Sequence, residues 1–357
     1  MKIRILLAAV AVVAAAVAGW ARDARGAQGE AQNEGFRAEE VTVRSGGVTL
    51  GGTLTRPEGT PKAALVLASG SGAQDRDEEV LGHRPFKAIA EYLAGKGYAV
   101  IRMDDRGVGE SGGDASKMTI SDYASDISAA IGALDSIFPA GLPKGVLGHS
   151  EGGNAAVKTA LGDLHCRFII TLAAPAWPGD SVIMSQARAM ATAMTGKWDG
   201  EAAQRRILEL VKSPLPTVAL APTLYSELGR MLGSAAELPQ VKKQIQQQVD
   251  VLVSPAYRSL VRYNPAEDMR KVAVPWLALN GDKDFQVLPE NLSAIAELNP
   301  RAQTRLLPGH NHLFLECHSG FPTEYSSLPG DISPETLEAI ASWLDELTAA
   351  GGISAAR

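Results

Sequence analysis

From about Glu39 onward, short apolar runs alternate with stretches in which apolar residues recur every three or four positions. Val41-Thr42-Val43 and the segment from Val48 to Leu54 flank Ser45-Gly46-Gly47, and Pro57 follows, so the opening reads as a β-hairpin. After it the pattern changes. Ala64 to Ala68, Ala99 to Met103, Val146-Leu147, Phe168 to Leu172, Trp276 to Leu279 and Thr304 to Leu307 are compact apolar runs, as expected of strands covered on both faces. Between them lie helical patterns: Tyr123, Ile127, Ala130, Ile131 and Leu134 share one face behind a Thr119/Asp122 cap. Near the end, Ser333-Pro334-Glu335 opens a helix carrying Leu337, Ile340, Ala341, Leu344 and Leu347. A hairpin followed by repeated βα units predicts an α/β fold with a doubly wound, mostly parallel sheet.

Two segments break this alternation. Pro175 to about Tyr263 shows helical patterns and several methionines but no strand, and it is too long for an ordinary crossover. It predicts an inserted helical cap, residues 175–263, between core segments 39–174 and 264–350. At the other end, Lys2 and Arg4 precede an apolar run from Ile5 to Gly19, and Gly19 and Ala21 offer a small-x-small cleavage site. Residues 1–21 therefore read as a signal for export to the periplasm or medium, residues 22–38 as a flexible tether, and the mature chain as free of stable membrane insertion.

Composition narrows the function. The 357 residues are 45% hydrophobic and 21% charged, enough for a large core. Loss of Lys2 and Arg4 would shift the formal charge from −6 to −8, with no basic block, so nucleic acid is not an expected partner. Cys166 and Cys317 impose no disulfide, and no C-x-x-C or H-E-x-x-H run suggests zinc. Gly107-Val108-Gly109-Glu110-Ser111-Gly112 matches G-x-G-x-x-G but lacks the immediate helix and the ribose-binding acid of a dinucleotide site.

The chemistry concentrates at Gly148-His149-Ser150-Glu151-Gly152, a G-x-S-x-G match. Alone it would arise by chance in about a third of chains this long, so its context decides. An apolar strand precedes it and a helix pattern follows, which would place Ser150 on a strained strand-to-helix turn with the Glu151 N–H at a helix start. A serine nucleophile needs a base oriented by a carboxylate, in the chain order Ser, acid, His. The run after Trp276 ends in Gly281-Asp282-Lys283-Asp284-Phe285-Gln286-Val287, and the run after Thr304 ends in Pro308-Gly309-His310-Asn311-His312-Leu313-Phe314.

With these motifs the chain resembles the α/β-hydrolase family of esterases, thioesterases and serine peptidases over about Val41 to Leu347. The resemblance implies Ser150 as nucleophile, His312 as base and Asp284 as orienting acid, with Asp282 as a turn residue and His310 as a loop residue. It also implies an oxyanion hole from the Glu151 amide and the loop Ser69-Gly70-Ser71-Gly72, with Ser71 as donor and Gly72 as the alternative. Ser69 stands where many relatives have His. Gln74 to Asp77 are expected to hold that loop, and Asp104-Asp105-Arg106-Gly107-Val108-Gly109-Glu110-Ser111 resembles the family's structural D-x-R-G-x-G-x-S loop. The expected activity is carboxylesterase-like, on small acyl esters, without cofactor or metal. Peptide or thioester hydrolysis is the enzymatic alternative, and a catalytically idle binding protein is the alternative of another class. Aminopeptidase action would need an acidic anchor, for which Asp180, Asp199, Glu201 and Glu227 are candidates. Met184, Met190, Met194, Leu228, Met231 and Leu232 are expected to give the cap apolar, substrate-selecting surface.

Overall fold

The computed structural model describes residues 35–349. The export segment, residues 22–34 of the expected tether and residue 350 lie outside the described residues.

The hairpin forms between β1 (Phe36–Ser45) and β2 (Val48–Pro57), joined by Gly46 and Gly47. Both glycines take positive φ, 51° and 84°, as a two-residue turn matched to strand twist requires. Strand β1 starts earlier than expected. Phe36 to Ala38, read from sequence as tether, pair with Thr55 to Pro57, and because β1 is an exposed edge strand its start carries no alternation to betray it.

The core continues as β3 (Ala64–Ala68), α1 (Pro85–Gly95), β4 (Ala99–Met103), α2 (Ile120–Ile137), β5 (Lys144–His149), α3 (Glu151–Gly162) and β6 (Cys166–Leu172). It resumes with β7 (Trp276–Gly281), α10 (Glu290–Leu298), β8 (Gln303–Leu307) and α11 (Pro334–Ala349). Between β6 and β7 lie α4 (Gly179–Thr195), α5 (Glu201–Lys212), α6 (Thr217–Leu232), α7 (Pro239–Leu252), α8 (Pro255–Arg262) and α9 (Ala266–Lys271), with no strand among them. The eight strands form one sheet in the order β1-β2-β4-β3-β5-β6-β7-β8. Strand β2 runs antiparallel to β1 and β4, and every other neighbouring pair is parallel.

The buried runs predicted as two-sided strands are two-sided in β3, β5 and β7, whose residues are all buried. Strand β8 departs from that expectation. It is the other sheet edge, and Thr304, Arg305 and Leu306 are exposed while only Leu307 is covered. Helices α2, α3, α9 and α10 pack on one face, where Ile127, Ile131, Ala156, Met269 and Ile295 meet Val66, Val146 and Ala278. Helices α1 and α11 cover the other through Phe86, Ile89, Leu93, Ile340 and Leu344. The Thr119/Asp122 capping box is present at α2, and the Ser333 hydroxyl accepts the Thr336 N–H at the start of α11.

Helices α4 to α8 bury a separate cluster that includes Ile207, Val211, Leu220, Leu224, Ile245, Val249 and Val261. Because β3, β5, β6, β7 and β8 are parallel, their carboxyl ends share one rim of the sheet. The loops after β3, β5, β7 and β8 therefore meet there.

Candidate active site

Ser150 is the single residue between β5 and α3, with φ 52° and ψ −119°. Left-handed backbone at a residue with a side chain is strained and persists only where its surroundings fix it. Here the Ser150 N–H donates to the Leu172 carbonyl and the Ser150 carbonyl accepts from Gly153. Close packing fixes the rest. A Cβ on Gly148 would lie 2.1 Å from the Gly152 carbonyl oxygen, and one on Gly152 would lie 2.1 Å from the Ala68 oxygen, so only glycine lets β5, α3 and β3 approach this closely. The Ser150 hydroxyl makes no cap bond to α3 and faces open space.

The loop after β7 carries Asp284, which is 2% exposed. Its Oδ1 accepts the Gln286 and Val287 N–H groups at 2.7 and 2.9 Å, and its Oδ2 lies 2.7 Å from His312 Nδ1. Two backbone donors fix the carboxylate, and the carboxylate fixes the imidazole with its proton on Nδ1, leaving Nε2 free to accept. Asp282 is exposed and accepts the Gly309 N–H, the turn role expected of it. His310 is buried but occupied, with Nδ1 on the Pro308 carbonyl and Nε2 on Ser333 Oγ. The His312 loop is held from within: Asn311 Oδ1 accepts the N–H groups of Leu313 and Leu315, and Phe314 sits at φ 58°.

Ser150 and His312 line a cavity of about 220 Å³ together with Gly70, Ser71, Glu78, His149, Gln186, Met190, Gln286 and Tyr325. No hydrogen bond joins the Ser150 and His312 side chains among the described residues. A second chamber of about 60 Å³ shares Ser71, Ser150, Gln186 and Gln286 and adds Glu151, Asn154, Val182, Ile183, Leu260 and Tyr263. Ser71 lines both spaces, and Gly72, at φ 113°, lines neither. The Ser71 and Glu151 N–H groups have no acceptor among the described residues.

The departure at Ser69 has a structural reason. Its hydroxyl bonds Asp105 Oδ1 at 3.0 Å and the Tyr123 hydroxyl at 2.8 Å, tying the loop to α2. Gln74 donates its N–H to Asp105, Arg76 forks onto Asp104, and Asp77 pairs with Arg102, so Gln74 to Asp77 form the expected polar clasp. Ser111 in the D-x-R-G-x-G-x-S loop accepts the Gly51 N–H and donates to the Asp104 carbonyl, also a structural role.

Glu78, just beyond that clasp, was not singled out from the sequence. It sits at φ 52°, is 2% exposed, accepts the Gly70 N–H at 2.6 Å and lies 2.8 Å from His149 Nδ1. His149 Nε2 reaches the His312 carbonyl at 2.9 Å. Burial pulls the His149 pKa down, but the adjacent Glu78 carboxylate outweighs it and holds the ring above its ordinary value. A buried carboxylate–imidazole pair thus links the loop after β3 to the loop of His312. The only sequence signal was the position of Glu78 within the acidic run from Asp75 to Glu79.

The cap residues divide. Met190 lines the 220 Å³ cavity, whereas Met184 faces a separate outer groove of about 1160 Å³ and Met194 is 63% exposed. Leu228, Met231 and Leu232 pack inside the cap. A helical face predicts burial, not which neighbour buries it. None of the four expected acidic anchors lines either space beside Ser150. Asp180 and Glu201 line the outer groove, paired with Lys212 and with Arg188 and Arg205, while Asp199 pairs with Lys197 and Glu227 with Arg230. Cys166 and Cys317 are both free thiols.

An eight-stranded sheet of this order, with a strained serine at the β5–α3 turn and a His–Asp pair on the loops after β8 and β7, defines an α/β-hydrolase. The sequence profile of the serine aminopeptidase S33 family matches residues 60–316, and the chain belongs to that family. It is a hydrolytic enzyme. Esterase EstD of Thermotoga maritima is 25% identical over 318 residues, 87% of this chain and 68% of that one. In fold the chain is similar to an esterase of Pyrococcus furiosus, with TM-score 0.55, 16% identity and coverage of 87% and 91% of the two chains. It is likewise similar to proline iminopeptidase of Mycobacterium smegmatis, with TM-score 0.54, 18% identity and coverage of 88% and 100%.

Proposed function

We propose that the protein is a serine esterase acting on small carboxylic esters through an acyl-enzyme on Ser150. The observation that carries this reading is the His312 Nδ1–Asp284 Oδ2 bond of 2.7 Å, with both residues buried and His312 sharing a cavity wall with Ser150. Asp284 keeps the proton on Nδ1, so Nε2 accepts the Ser150 proton as Oγ attacks the acyl carbon. The carbonyl oxygen gains negative charge and is met by the Ser71 and Glu151 N–H groups, the latter reinforced by the α3 N-terminus. His312 then returns the proton to the departing alkoxide, and a water deprotonated by His312 clears the acyl group.

Asp180, Asp199, Glu201 and Glu227 line neither space beside Ser150, whereas Glu151 lines the smaller one, so the choice of ester over peptide rests on the esterase name of the Thermotoga relative. The cap closes over Ser150 through Val182, Ile183, Gln186 and Met190 of α4 and Leu260 of α8, and these side chains select the substrate. The test is hydrolysis of p-nitrophenyl acetate and butyrate beside alanine p-nitroanilide. Ester turnover that is abolished in Ser150→Ala is expected, and anilide turnover exceeding that of both esters would overturn the assignment.

A further inference from the structure

Ser150 depends on two loops that must keep a fixed separation. The loop after β3 presents the Ser71 N–H, and the loop after β8 presents His312. Oxyanion and transferred proton belong to the same tetrahedral adduct, so an error in either loop misplaces one of them. Three strands, β5, β6 and β7, stand between β3 and β8 in the sheet, and register alone holds the two loops only loosely to one another.

One continuous chain of hydrogen bonds spans that gap. Glu78 Oε1 accepts the Gly70 N–H at 2.6 Å and lies 2.8 Å from His149 Nδ1, while His149 Nε2 lies 2.9 Å from the His312 carbonyl. Gly70 immediately precedes Ser71, so the chain ends on the backbone of the base at one side and beside the oxyanion donor at the other. The His149 ring also packs against that of His312, with centroids 4.7 Å apart.

The donors set the protonation of the chain. A carbonyl oxygen only accepts, so Nε2 carries a proton. Glu78 Oε1 accepts from Gly70, and Oε2 is buried with no partner among the described residues, so the carboxylate is compensated only if Nδ1 carries a proton as well. His149 therefore stands as an imidazolium, in line with the upward push that Glu78 gives the ring. Glu78 and His149 are 2% and 6% exposed, and Glu78 sits in left-handed backbone at φ 52°. A buried ion pair adds little over an apolar pair of the same size, and strained backbone costs stability, so neither feature is there to hold the fold.

We infer that Glu78 and His149 are positioning residues for the hydrolytic step, tying the Ser71 oxyanion donor to the His312 base so that both meet one tetrahedral adduct on Ser150. The role rests on the reading of Ser150 as nucleophile and is the same for an ester or an amide substrate.

The test follows inactivation of the full chain by diethyl p-nitrophenyl phosphate. Attack by Ser150 Oγ on phosphorus releases p-nitrophenolate once per chain, and saturation separates a binding constant KI from a maximal rate kinact. Glu78→Gln keeps the size of the side chain and an acceptor for Gly70, but it loses the charge that keeps two protons on His149, so one link opens. His149→Asn can keep a donor near Glu78 and loses the one at the His312 carbonyl, and His149→Gln does the reverse. Each variant is expected to lower kinact by about tenfold or more with KI within about threefold, because the reagent still fits while the reacting geometry slackens. Cutting one chain twice adds little, so Glu78→Gln/His149→Asn is expected to fall no more than about threefold below the lower single variant. Asn299→Ala gives up bonds to the Met269 and Val272 carbonyls near the amino end of β7; it controls for lost stability and is expected to keep wild-type kinact. Should Glu78→Gln not fold, the two His149 variants carry the comparison, each opening one link. Values of kinact within about threefold of wild type in folded variants overturn the inference and leave Ser150 as nucleophile. A rise in KI at constant kinact, or losses that multiply in the double variant, overturn it equally. A wild-type chain that releases no p-nitrophenolate strikes the reading of Ser150 itself.

Discussion

Replacing Gly152 by alanine should damage catalysis far more than its single methyl group suggests. The added Cβ would stand 2.1 Å from the Ala68 carbonyl oxygen and 2.5 Å from that of Ser69. Carbon and carbonyl oxygen rest at about 3.3 Å or more, so the first turn of α3 and the end of β3 must separate by about 1 Å. Neither side can yield by turning a side chain, because both contacts are to backbone oxygen. The movement is directed at the chemistry. Ala68-Ser69 leads into Ser71, and Gly152 follows Glu151, so the gap between the two proposed oxyanion donors opens. Overpacking of this kind costs about 1–3 kcal/mol, which for a chain of this length lowers Tm by roughly 2–5 °C. Displacing a reacting geometry by about 1 Å can cost about 100-fold in rate. Circular dichroism gives Tm, and p-nitrophenyl acetate turnover gives kcat/KM. Gly162→Ala is the control, since at Gly162 a Cβ meets nothing within 4 Å. Were kcat/KM of Gly152→Ala within about threefold of wild type and Tm within about 1 °C, the close-packed elbow would not be what positions the donors.

Asp284→Asn should lower kcat by about four orders of magnitude through loss of the His312 tautomer, while Asp282→Asn, which touches only the Gly309 N–H, should act on stability; equal losses of kcat would refute the assignment. Glu151 has its carboxyl raised from 4.5 to about 7 by burial, so the folded chain holds that proton more tightly than the unfolded one. Stability from this group is therefore lost as pH climbs from about 4.5 through 7, by about 3 kcal/mol in total. Glu151→Gln should consequently gain Tm relative to wild type by several degrees at pH 8 and gain nothing at pH 4, and a gain confined to pH 4 would contradict the burial. Met190→Trp should slow esters of bulky alcohols more than methyl esters of the same acid, because Met190 borders the chamber of His312; an unchanged ranking would remove it from substrate selection.

How much of this was readable beforehand follows from what each residue's neighbours are. The bounds of β3 and β4 match their apolar runs because both strands are covered by helices over most of their length, so burial leaves its full imprint on composition. Strands β1 and β8 are edges, and there the imprint fades: Phe36 to Ala38 looked like tether, and β8 proved largely exposed. Ser150, Asp284 and His312 were legible because each follows a recognisable strand, and Asp284 separates from Asp282 by burial and by its hydrogen bonds to Gln286, Val287 and His312. Glu78 was not legible. Its importance comes from what it faces across the fold, a glycine N–H and an imidazole, and no local spacing encodes that. The cap methionines fail for a related reason, since helical periodicity marks Met184, Met190 and Met194 alike as apolar positions while only Met190 turns towards His312.

That Ser150 is a nucleophile activated by His312 and Asp284 is tested most directly by covalent reaction with a fluorophosphonate probe, followed by peptide mass spectrometry to locate the adduct. A single adduct on Ser150 is expected, absent in Ser150→Ala and formed at a strongly reduced rate in His312→Ala with folding intact. Undiminished labelling of Ser150→Ala, or an adduct on another serine in the wild-type chain, would contradict it.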